Sequence, residues 1–322
     1  MTTELPLIEK YRPKFLSDVI DHEEKITTLK QLIAMHQLPH LLFYGPPGSG
    51  KTSLILALAR ELYGAEYRKY IMEINGSSER GIDTIRGCVV NFIQNRSDMV
   101  KLVILDEADA LTGEAQGALK SVMEYYSKYC RFCLICNDAT KISPALQSRC
   151  VKMVFSCLKP EAIKVKLVDI ALKEKIDITE EGIDAMICLE KDFRQLLNVL
   201  QGMSSYYGAV GKNIDQDSVY SYMGKPTTET VDMMINTLFT GTFTETYQYL
   251  LDLNKDNNIN ITDMVHFILK RVLTLDLDVS HKHFLIGVLS TIDKNTRIGC
   301  NVDIQLAYMT SAFWKVRKER QA

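Results

Sequence analysis

The stretch Gly45-Pro-Pro-Gly-Ser-Gly-Lys-Thr52 follows the apolar run His40-Leu-Leu-Phe-Tyr44 and precedes a helical pattern of leucine and isoleucine residues. Its spacing, G-x-x-x-x-G-K-[ST], is that of a phosphate-binding loop between a strand and a helix. Glycines let the backbone wrap closely around an anion, and the amides at the helix N-terminus then point at its phosphates. In such a loop Lys51 neutralises charge on the β- and γ-phosphates, and the Thr52 hydroxyl helps to hold Mg²⁺. The alternative is a chance Gly-rich turn, and the complete octet with both flanks in place argues against it.

An acidic cluster follows a second apolar run further along the chain. Lys101-Leu-Val-Ile-Leu105 predicts a buried strand, and Asp106-Glu-Ala-Asp109 comes directly after it. A carboxylate at the C-terminal edge of a parallel sheet lies where ligands bind. We therefore expect Asp106 to hold Mg²⁺ through water and Glu107 to polarise an attacking water, which favours nucleoside triphosphate hydrolysis. The alternative is the acidic first turn of a helix, where Asp and Glu are favourable.

The composition is that of an ordinary soluble globular protein, with 322 residues of which 46% are hydrophobic and 24% charged. Because the net charge is only −2, any contact with nucleic acid requires a local basic patch. No apolar run approaches the ~20 residues that span a bilayer, and the first residues lack the pattern of a signal peptide. Eight cysteines without such a signal predict reduced thiols in the cytosol or nucleus.

Three of the cysteines, Cys130, Cys133 and Cys136, have a spacing that could indicate a metal site. They lie, however, in an apolar run that predicts a buried strand. The odd separation of Cys133 and Cys136 places their side chains on opposite faces of such a strand. We therefore interpret these residues as buried core thiols.

The remaining pattern predicts an α/β protein followed by helices. The apolar runs with the length of strands are residues 40–44, 70–74, 101–105, 131–136 and 151–155. Helical stretches separate most of them, which predicts a parallel sheet. After Lys159-Pro160 only helical patterns follow. Gly224-Lys-Pro226 is a candidate linker, and Thr227 or Thr228 a candidate N-cap of the next helix.

These motifs together resemble a known family. Glu9-Lys-Tyr-Arg-Pro13, Leu38-Pro-His-Leu-Leu-Phe-Tyr-Gly45, the Asp106–Asp109 box and Ser148-Arg-Cys150 resemble the small subunits of replication factor C, the sliding-clamp loader, which is an AAA+ ATPase. Arg131-Phe-Cys and Leu197-Asn-Val-Leu-Gln201 look most like the third eukaryotic small subunit. The resemblance implies a RecA-like core with a parallel five-stranded sheet (1–158), a small helical lid (159–225) and an all-α collar for oligomerisation (226–322).

The resemblance also implies roles for single residues. Asn137 matches sensor 1, which orients the attacking water, and Arg194 matches sensor 2 in the lid. Arg149 matches the arginine finger, which acts on ATP bound by a neighbouring subunit. Asn75 matches the polar residue that holds Glu107 away from water until DNA binds. The residues expected to bind ATP are Tyr11, Arg12, Pro13, Gly45, Pro46, Pro47, Gly48, Ser49, Gly50, Lys51, Thr52, Ser53, Asp106, Asn137 and Arg194.

The partners implied by the resemblance are the other subunits of a heteropentamer, a sliding clamp and primer–template DNA, in the nucleus. Arg80, Arg86 and Lys141 match positions that contact DNA phosphates, although scattered cations are otherwise typical of a solvated surface. A candidate clamp contact is the helix around Ile85, Val89, Val90, Phe92 and Ile93, and its apolar residues fit a core equally well.

Two rival functions stay open at this point. The first is another AAA+ DNA-remodelling ATPase, such as a branch-migration motor. Such proteins usually add a winged-helix domain, whereas residues 227–322 predict helices alone. The second is a non-hydrolysing scaffold subunit, and the complete set of Lys51, Thr52, Asp106 and Glu107 argues against it. A small-molecule kinase would have no use for the finger at Arg149.

Overall fold

A single parallel sheet organises the first half of the chain. The computed structural model describes residues 5–35, 37–78, 81, 83, 85–95, 97–255 and 259–321. Its strands are β1 Leu41–Tyr44, β2 Ile71–Asn75, β3 Lys101–Asp106, β4 Cys130–Cys136 and β5 Val151–Val154. They pair in the order β2-β3-β4-β1-β5, all parallel. The predicted five-stranded sheet is confirmed, with each strand end within one residue of its prediction.

Strands β1 to β4 contribute side chains to two hydrophobic cores, because successive residues point to opposite faces of a sheet, and β5 contributes Met153 to one of them. Leu42 and Cys136 are buried on one face, and Phe43 and Cys133 on the other. The predicted placement of Cys133 and Cys136 on opposite faces is therefore confirmed. Burial raises the pKa of Cys136 to about 12, so this thiol stays protonated in the core.

Helices lie between the strands along the chain, and another helix follows the last strand. They are α1 Leu7–Lys10, α2 Glu23–Ala34, α3 Lys51–Tyr63, α4 Val90–Gln94, α5 Gly113–Tyr125, α6 Pro144–Gln147 and α7 Pro160–Glu174. A π-helical turn, Ile85–Val89, precedes α4. Val89 and Ile93 are buried in the core, and Val90 and Phe92 are partly buried against it. The side chain of Ile85 lies outside the described residues, and a clamp contact by this helix stays a prediction. Thr112 caps α5 by accepting a hydrogen bond from the Ala115 N–H, and proline opens α6 and α7, where no amide partner is required.

The remaining elements described are helical. They are α8 Glu180–Leu189, α9 Phe193–Val210, α10 Gln216–Met223, α11 Thr228–Thr240, α12 Phe243–Lys255, α13 Ile261–Thr274, α14 Val279–Arg297 and α15 Val302–Gln321. Gly224 ends α10 with φ 62°, and the Thr227 side chain caps α11 by accepting from the Thr230 N–H. The predicted N-cap at Thr227 is therefore confirmed. Apolar side chains from α11 to α15, including the fully buried Phe313, form a separate core.

The chain divides into two compact units. One contains residues 1–176 and 186–205, and the other contains residues 177–185 and 206–322. The three-domain boundaries at 158 and 225 stay a prediction. Among the helices that the structure describes, none is long and apolar enough to cross a membrane.

The strand order explains why distant residues meet. β4 lies between β1 and β3, and parallel strands end at the same edge of a sheet. The phosphate loop follows β1, Asn137 follows β4, and Asp106 ends β3. These groups therefore converge at the carboxyl edge of three adjacent strands.

Candidate nucleotide-binding site

Three glycines shape the phosphate loop. Gly45, Gly48 and Gly50 have φ values of 149°, 70° and 86°, in the region that favours glycine. A Cβ at Gly45 would lie 2.0 Å from the Phe155 carbonyl oxygen, and one at Gly48 would lie 2.1 Å from Asp192 Oδ1. No side chain fits at either position without a shift of these neighbours. Neighbouring protein atoms therefore favour glycine at both positions, and the wrapping of this loop around an anion stays a prediction.

Lys51 is a buried cation at the first turn of α3, only 7% exposed. Its Nζ donates to the carbonyl oxygens of Gly45 and Pro46 at 2.8 Å each, and to Asn137 Oδ1 at 3.2 Å. Burial lowers the pKa of Lys51, and Asp106 partly opposes this shift. Because carbonyl dipoles compensate a buried ammonium only partly, the position favours an anionic ligand.

A hydroxyl and a carboxylate meet beside Lys51. Thr52 Oγ1 donates to Asp106 Oδ2 at 2.7 Å, although 54 residues separate them in the chain. The other Asp106 oxygen accepts from the Glu107 N–H at 2.9 Å. Glu107 is exposed and has φ 51°, a left-handed conformation that is uncommon outside glycine and is enriched at functional sites. The structure thus brings Thr52, Asp106 and Glu107 to one edge of the sheet.

Two asparagines lie at the same edge. Asn137 accepts the hydrogen bond from Lys51 and so links the ends of β4 and β1. Asn75 is opposite Asp106 in the register of β2 and β3. Its Oδ1 accepts from the Ser77 N–H at 2.8 Å and from the Ser77 hydroxyl at 2.7 Å. The expected control of Glu107 by Asn75 stays a prediction.

The N-terminal segment forms one wall of a cavity of 310 Å³. Described residues that line it and were predicted for the site are Tyr11, Arg12, Pro13, Thr52, Ser53, Asn75, Asp106, Glu107 and Arg194. The Tyr11 hydroxyl and Lys10 Nζ both donate to Glu174 at the end of α7. Burial raises the pKa of Tyr11 to about 12, and the hydrogen bond to Glu174 adds to this shift. These contacts hold the segment in place beside the phosphate loop.

Arg194 lies in the first turn of α9, next to the loop. Its side chain lines the cavity described above and a smaller one of 60 Å³ that also contains Gly48 and Gly50. Asp192 caps α9 by accepting the Arg194 N–H at 2.8 Å. The same carboxylate lies against Gly48. The structure therefore places Arg194 beside the phosphate loop, and its role as sensor 2 stays a prediction.

Arg149 is not among the described residues that line either cavity. Its guanidinium donates to the Ala145 carbonyl at 2.7 Å and forms an ion pair with Glu124. Its side chain is 33% exposed. Arg149 therefore lies away from this chain's own phosphate loop. A role in a neighbouring subunit's site requires such a separation.

The three predicted DNA contacts are only partly described. Arg80 lies outside the described residues, and so does the side chain of Arg86, whose backbone belongs to the π-helical turn. Lys141 is exposed at the end of a short 3₁₀ turn, Ala139–Lys141, and its carbonyl accepts from Gln116. The role of all three stays a prediction.

Cavity size does not identify the site. A larger cavity, of 560 Å³, lies at the opposite edge of the sheet, beside the first residues of β3 and β4. It contains Lys101 and Tyr129 but no part of the phosphate loop. The buried cation, the paired oxygens and the glycine geometry identify the nucleotide site instead.

Three residues at the site were missed by the sequence reasoning: His22, Phe155 and Asp192. Asp192 precedes a helix, where aspartate is a typical N-cap, and this signal was readable. His22 and Phe155 contact the phosphate loop from distant parts of the chain. No motif or periodicity links such positions, because packing alone brings them together.

Comparison with known proteins agrees with this geometry. Residues 41–158 match the family described as ATPase family associated with various cellular activities (AAA). The fold and site therefore define an AAA+ ATPase. Residues 226–312 match the replication factor C C-terminal domain. The chain belongs to the replication factor C small-subunit family, the ATPase subunits of clamp loaders.

Curated relatives match almost the whole chain. The probable replication factor C subunit 5 of Dictyostelium discoideum is 39% identical over 96% of this chain and 90% of its own length. Replication factor C subunit 5 of Homo sapiens is 39% identical, with coverages of 97% and 92%. Replication factor C subunit 3 of Schizosaccharomyces pombe is 38% identical, with coverages of 96% and 90%. Since these relatives carry two different subunit numbers, similarity to the third small subunit stays a prediction.

Solved structures with the same fold include the Thermotoga maritima RuvB Holliday junction branch migration motor. Its TM-score is 0.56 at 16% identity, and the match covers 80% of this chain and 90% of that one. At this level of identity the likeness concerns the fold alone.

Proposed function

We propose that this chain uses ATP, within a nuclear heteropentamer, to load a ring-shaped sliding clamp onto primer–template DNA. The observation that supports this best is the convergence of Lys51, Asn137 and the Thr52–Asp106 pair, with Glu107 alongside, at one sheet edge. Family membership supplies the process in which this site acts.

Each group at the edge has a chemical role in ATP hydrolysis. Lys51 binds the β- and γ-phosphates and compensates their charge. Glu107 accepts a proton from the attacking water, and Asn137 orients that water. The Thr52 hydroxyl and Asp106 carboxylate are hard oxygen donors 2.7 Å apart, which fits Mg²⁺. When bound, Mg²⁺ would neutralise phosphate charge during hydrolysis.

Two arginines connect this site with the rest of the assembly. Arg194 contacts the γ-phosphate from the first turn of α9 and reports its presence to that helix. Arg149 acts on ATP held by a neighbouring subunit, for which its planar, permanently charged fork is suited. Its guanidinium pairs with Glu124 at a partly exposed position, so this ion pair must be exchanged for the neighbour's phosphate.

DNA binding is assigned to Arg80, Arg86 and Lys141, which would neutralise backbone phosphates. Such contacts recognise charge and shape and carry no sequence information. This sequence-independent grip is what a loader needs, because primer–template junctions occur at any sequence.

A branch-migration motor is the rival function, and a protein of that kind shares the fold of this chain. The match of residues 226–312 to the replication factor C C-terminal domain favours clamp loading instead. A scaffold subunit without hydrolysis is disfavoured by the complete set of Lys51, Thr52, Asp106 and Glu107.

The test is clamp loading by a complex that contains this chain and the other loader subunits. We expect ATP-dependent transfer of the clamp onto primed circular DNA. A complex with Arg80, Arg86 and Lys141 replaced together by Ala should bind primer–template more weakly, with the salt slope reduced by about 0.9 per lost duplex phosphate contact. The loss should be equal on two unrelated DNA sequences. Failure to assemble with loader subunits, or migration of Holliday junctions in place of clamp loading, would overturn the proposal.

A further inference from the structure

A buried histidine contacts the phosphate loop from outside it. His22 is 5% exposed and immediately precedes α2. Asp21 and His22 both have positive φ, 60° and 65°, a conformation that is unfavourable for residues other than glycine. Asp21 Oδ1 accepts from the His22 N–H at 2.8 Å, and the His22 carbonyl accepts from the N–H groups of Lys25 and Ile26. The fold thus accepts local strain and places this ring against the loop.

The neighbours of the ring specify which nitrogen carries the proton. His22 Nε2 lies 3.0 Å from the Ser49 carbonyl oxygen, which can only accept, so Nε2 is the donor. Lys25 Nζ lies 3.4 Å from Nδ1. Since an ammonium can only donate, Nδ1 is the unprotonated acceptor. Both contacts therefore require the neutral ring with its proton on Nε2.

The charges around the ring agree with a neutral imidazole. Burial lowers the pKa of His22, and the cations of Lys25 and Lys159 act in the same direction. The hydrogen bond to Ser49 and the carboxylate of Asp21 oppose this shift without cancelling it. At neutral pH the ring therefore donates to Ser49 as a neutral group.

The loop is braced at both ends by one packed pair of rings. His22 and Phe155 pack edge to face, with centroids 4.9 Å apart. The Phe155 carbonyl lies against Gly45 at the start of the loop, and His22 bonds Ser49 near its end. Hydrogen bonds from Ser49 Oγ and Lys51 Nζ to the Pro46 carbonyl are internal to the loop. The contact of His22 fixes the loop against the rest of the fold.

The peptide between Ser49 and Gly50 is the part of the loop that can rotate between two orientations. Gly50 has φ 86°, and glycine adopts either sign of φ at little cost. The freedom that lets the loop wrap around an anion also lets this peptide flip. The bond is trans, so its carbonyl and its N–H point in opposite directions. A flip would turn the Ser49 carbonyl toward the phosphates and the Gly50 N–H away from them.

We propose that His22 is a positioning residue that locks this peptide, so that the Gly50 N–H points into the phosphate site. With the Ser49 carbonyl held by His22 Nε2, the Gly50 N–H faces the opposite side, where it donates to a phosphate oxygen. Loss of the donor lets the carbonyl repel the phosphate instead. The inference rests on ATP binding at this loop, as proposed above.

The test compares His22→Leu with His22→Gln in the full chain. Leucine removes the donor, whereas the glutamine amide nitrogen can occupy the place of Nε2. Leucine and glutamine both disfavour the positive φ at position 22, so the backbone strain is similar in the two variants. Asparagine is not used because it adopts a positive φ more readily. We expect ATP affinity to fall at least about tenfold for His22→Leu and to stay within about threefold of the unaltered chain for His22→Gln. The unfolding temperatures of the two variants without nucleotide should agree.

Several outcomes would overturn the inference. Unchanged affinity in His22→Leu would show that the peptide needs no lock. An equal loss in both variants would show that ring packing, not the hydrogen bond, matters. If the unaltered chain binds no ATP, the nucleotide assignment itself fails and this inference with it. Should the variants not fold, ¹⁵N-imidazole NMR of the unaltered chain decides: we expect His22 protonated on Nε2, and a proton on Nδ1 would refute the lock.

Discussion

Replacement of Lys51 by methionine should separate ligand binding from folding. The Lys51 ammonium is buried and donates to two carbonyls of its own loop and to Asn137. Methionine has a similar length and no charge. Burial disfavours the charged form of Lys51, so removal of the ammonium relieves a desolvation cost. The carbonyls of the half-exposed Gly45 and Pro46 can then accept hydrogen bonds from water.

The two effects differ in size. For the chain without nucleotide, we expect the free energy of unfolding to change by less than about 1 kcal/mol, since replacing a buried charge by an apolar group is often neutral. For ATP, a hydrogen bond to a charged group contributes about 1.5–3 kcal/mol. Two such bonds, one each to the β- and γ-phosphates, give at least about 3 kcal/mol, or a ~10²-fold loss of affinity.

The assay is equilibrium binding of labelled ATP with Mg²⁺, together with chemical denaturation of the nucleotide-free chain. Lys101→Met is the matched control, because Lys101 is also buried and donates to two carbonyls, at the opposite end of β3. Its ATP affinity should stay within about threefold of the unaltered chain. Undiminished ATP affinity in Lys51→Met, or an equal loss in Lys101→Met, would show that Lys51 does not bind the phosphates.

Three further predictions concern hydrolysis, trans action and pH. Glu107→Gln should retain ATP binding and slow single-turnover hydrolysis by at least ~10²-fold; an unchanged rate removes Glu107 from the mechanism. Arg149→Ala should leave this chain's ATP affinity unchanged and slow hydrolysis at a neighbour's site by up to ~10³-fold; a defect in the isolated chain would refute action in trans. Burial lowers the pKa of His40 to about 4, whereas an unfolded histidine has a pKa of about 6.5. Between about pH 4 and pH 6.5 His40 is therefore protonated in the unfolded chain and neutral in the folded one. The free energy of unfolding should fall by up to about 3 kcal/mol as the pH drops through this range. His40→Asn keeps an acceptor for the Phe132 N–H and cannot titrate. Chemical denaturation at about pH 7 and about pH 4.5 should therefore show a smaller decrease in the free energy of unfolding for His40→Asn than for the unaltered chain. An equal decrease would contradict the role of His40 in the pH dependence.

The sheet was predictable because its strands are short apolar runs that end in recognisable chemistry. Leu41–Tyr44 leads into the phosphate loop, and Lys101–Asp106 ends in a carboxylate. The strand order did not follow from these patterns, since pairing is decided by packing between distant segments. The resemblance implied a parallel five-stranded sheet, and the order β2-β3-β4-β1-β5 was learned from the structure.

Within the site, motif residues were predictable and supporting residues were not. Lys51 and Asp106 belong to local patterns with fixed chemistry. His22 and Phe155 act through contacts with loop backbone, and a backbone carbonyl leaves no mark in the sequence. The ion pair of Arg149 with Glu124 depends likewise on side-chain placement in the fold.

ATP hydrolysis at this site alone is the most direct test of the proposed clamp-loading function. We would assemble the loader with the phosphate-loop lysines of the other subunits replaced by methionine, and measure single-turnover ATP hydrolysis with clamp and primer–template DNA. We expect hydrolysis that clamp and DNA accelerate and that Glu107→Gln in this chain abolishes. Absence of hydrolysis, or a rate that Glu107→Gln leaves unchanged, would contradict the proposed function.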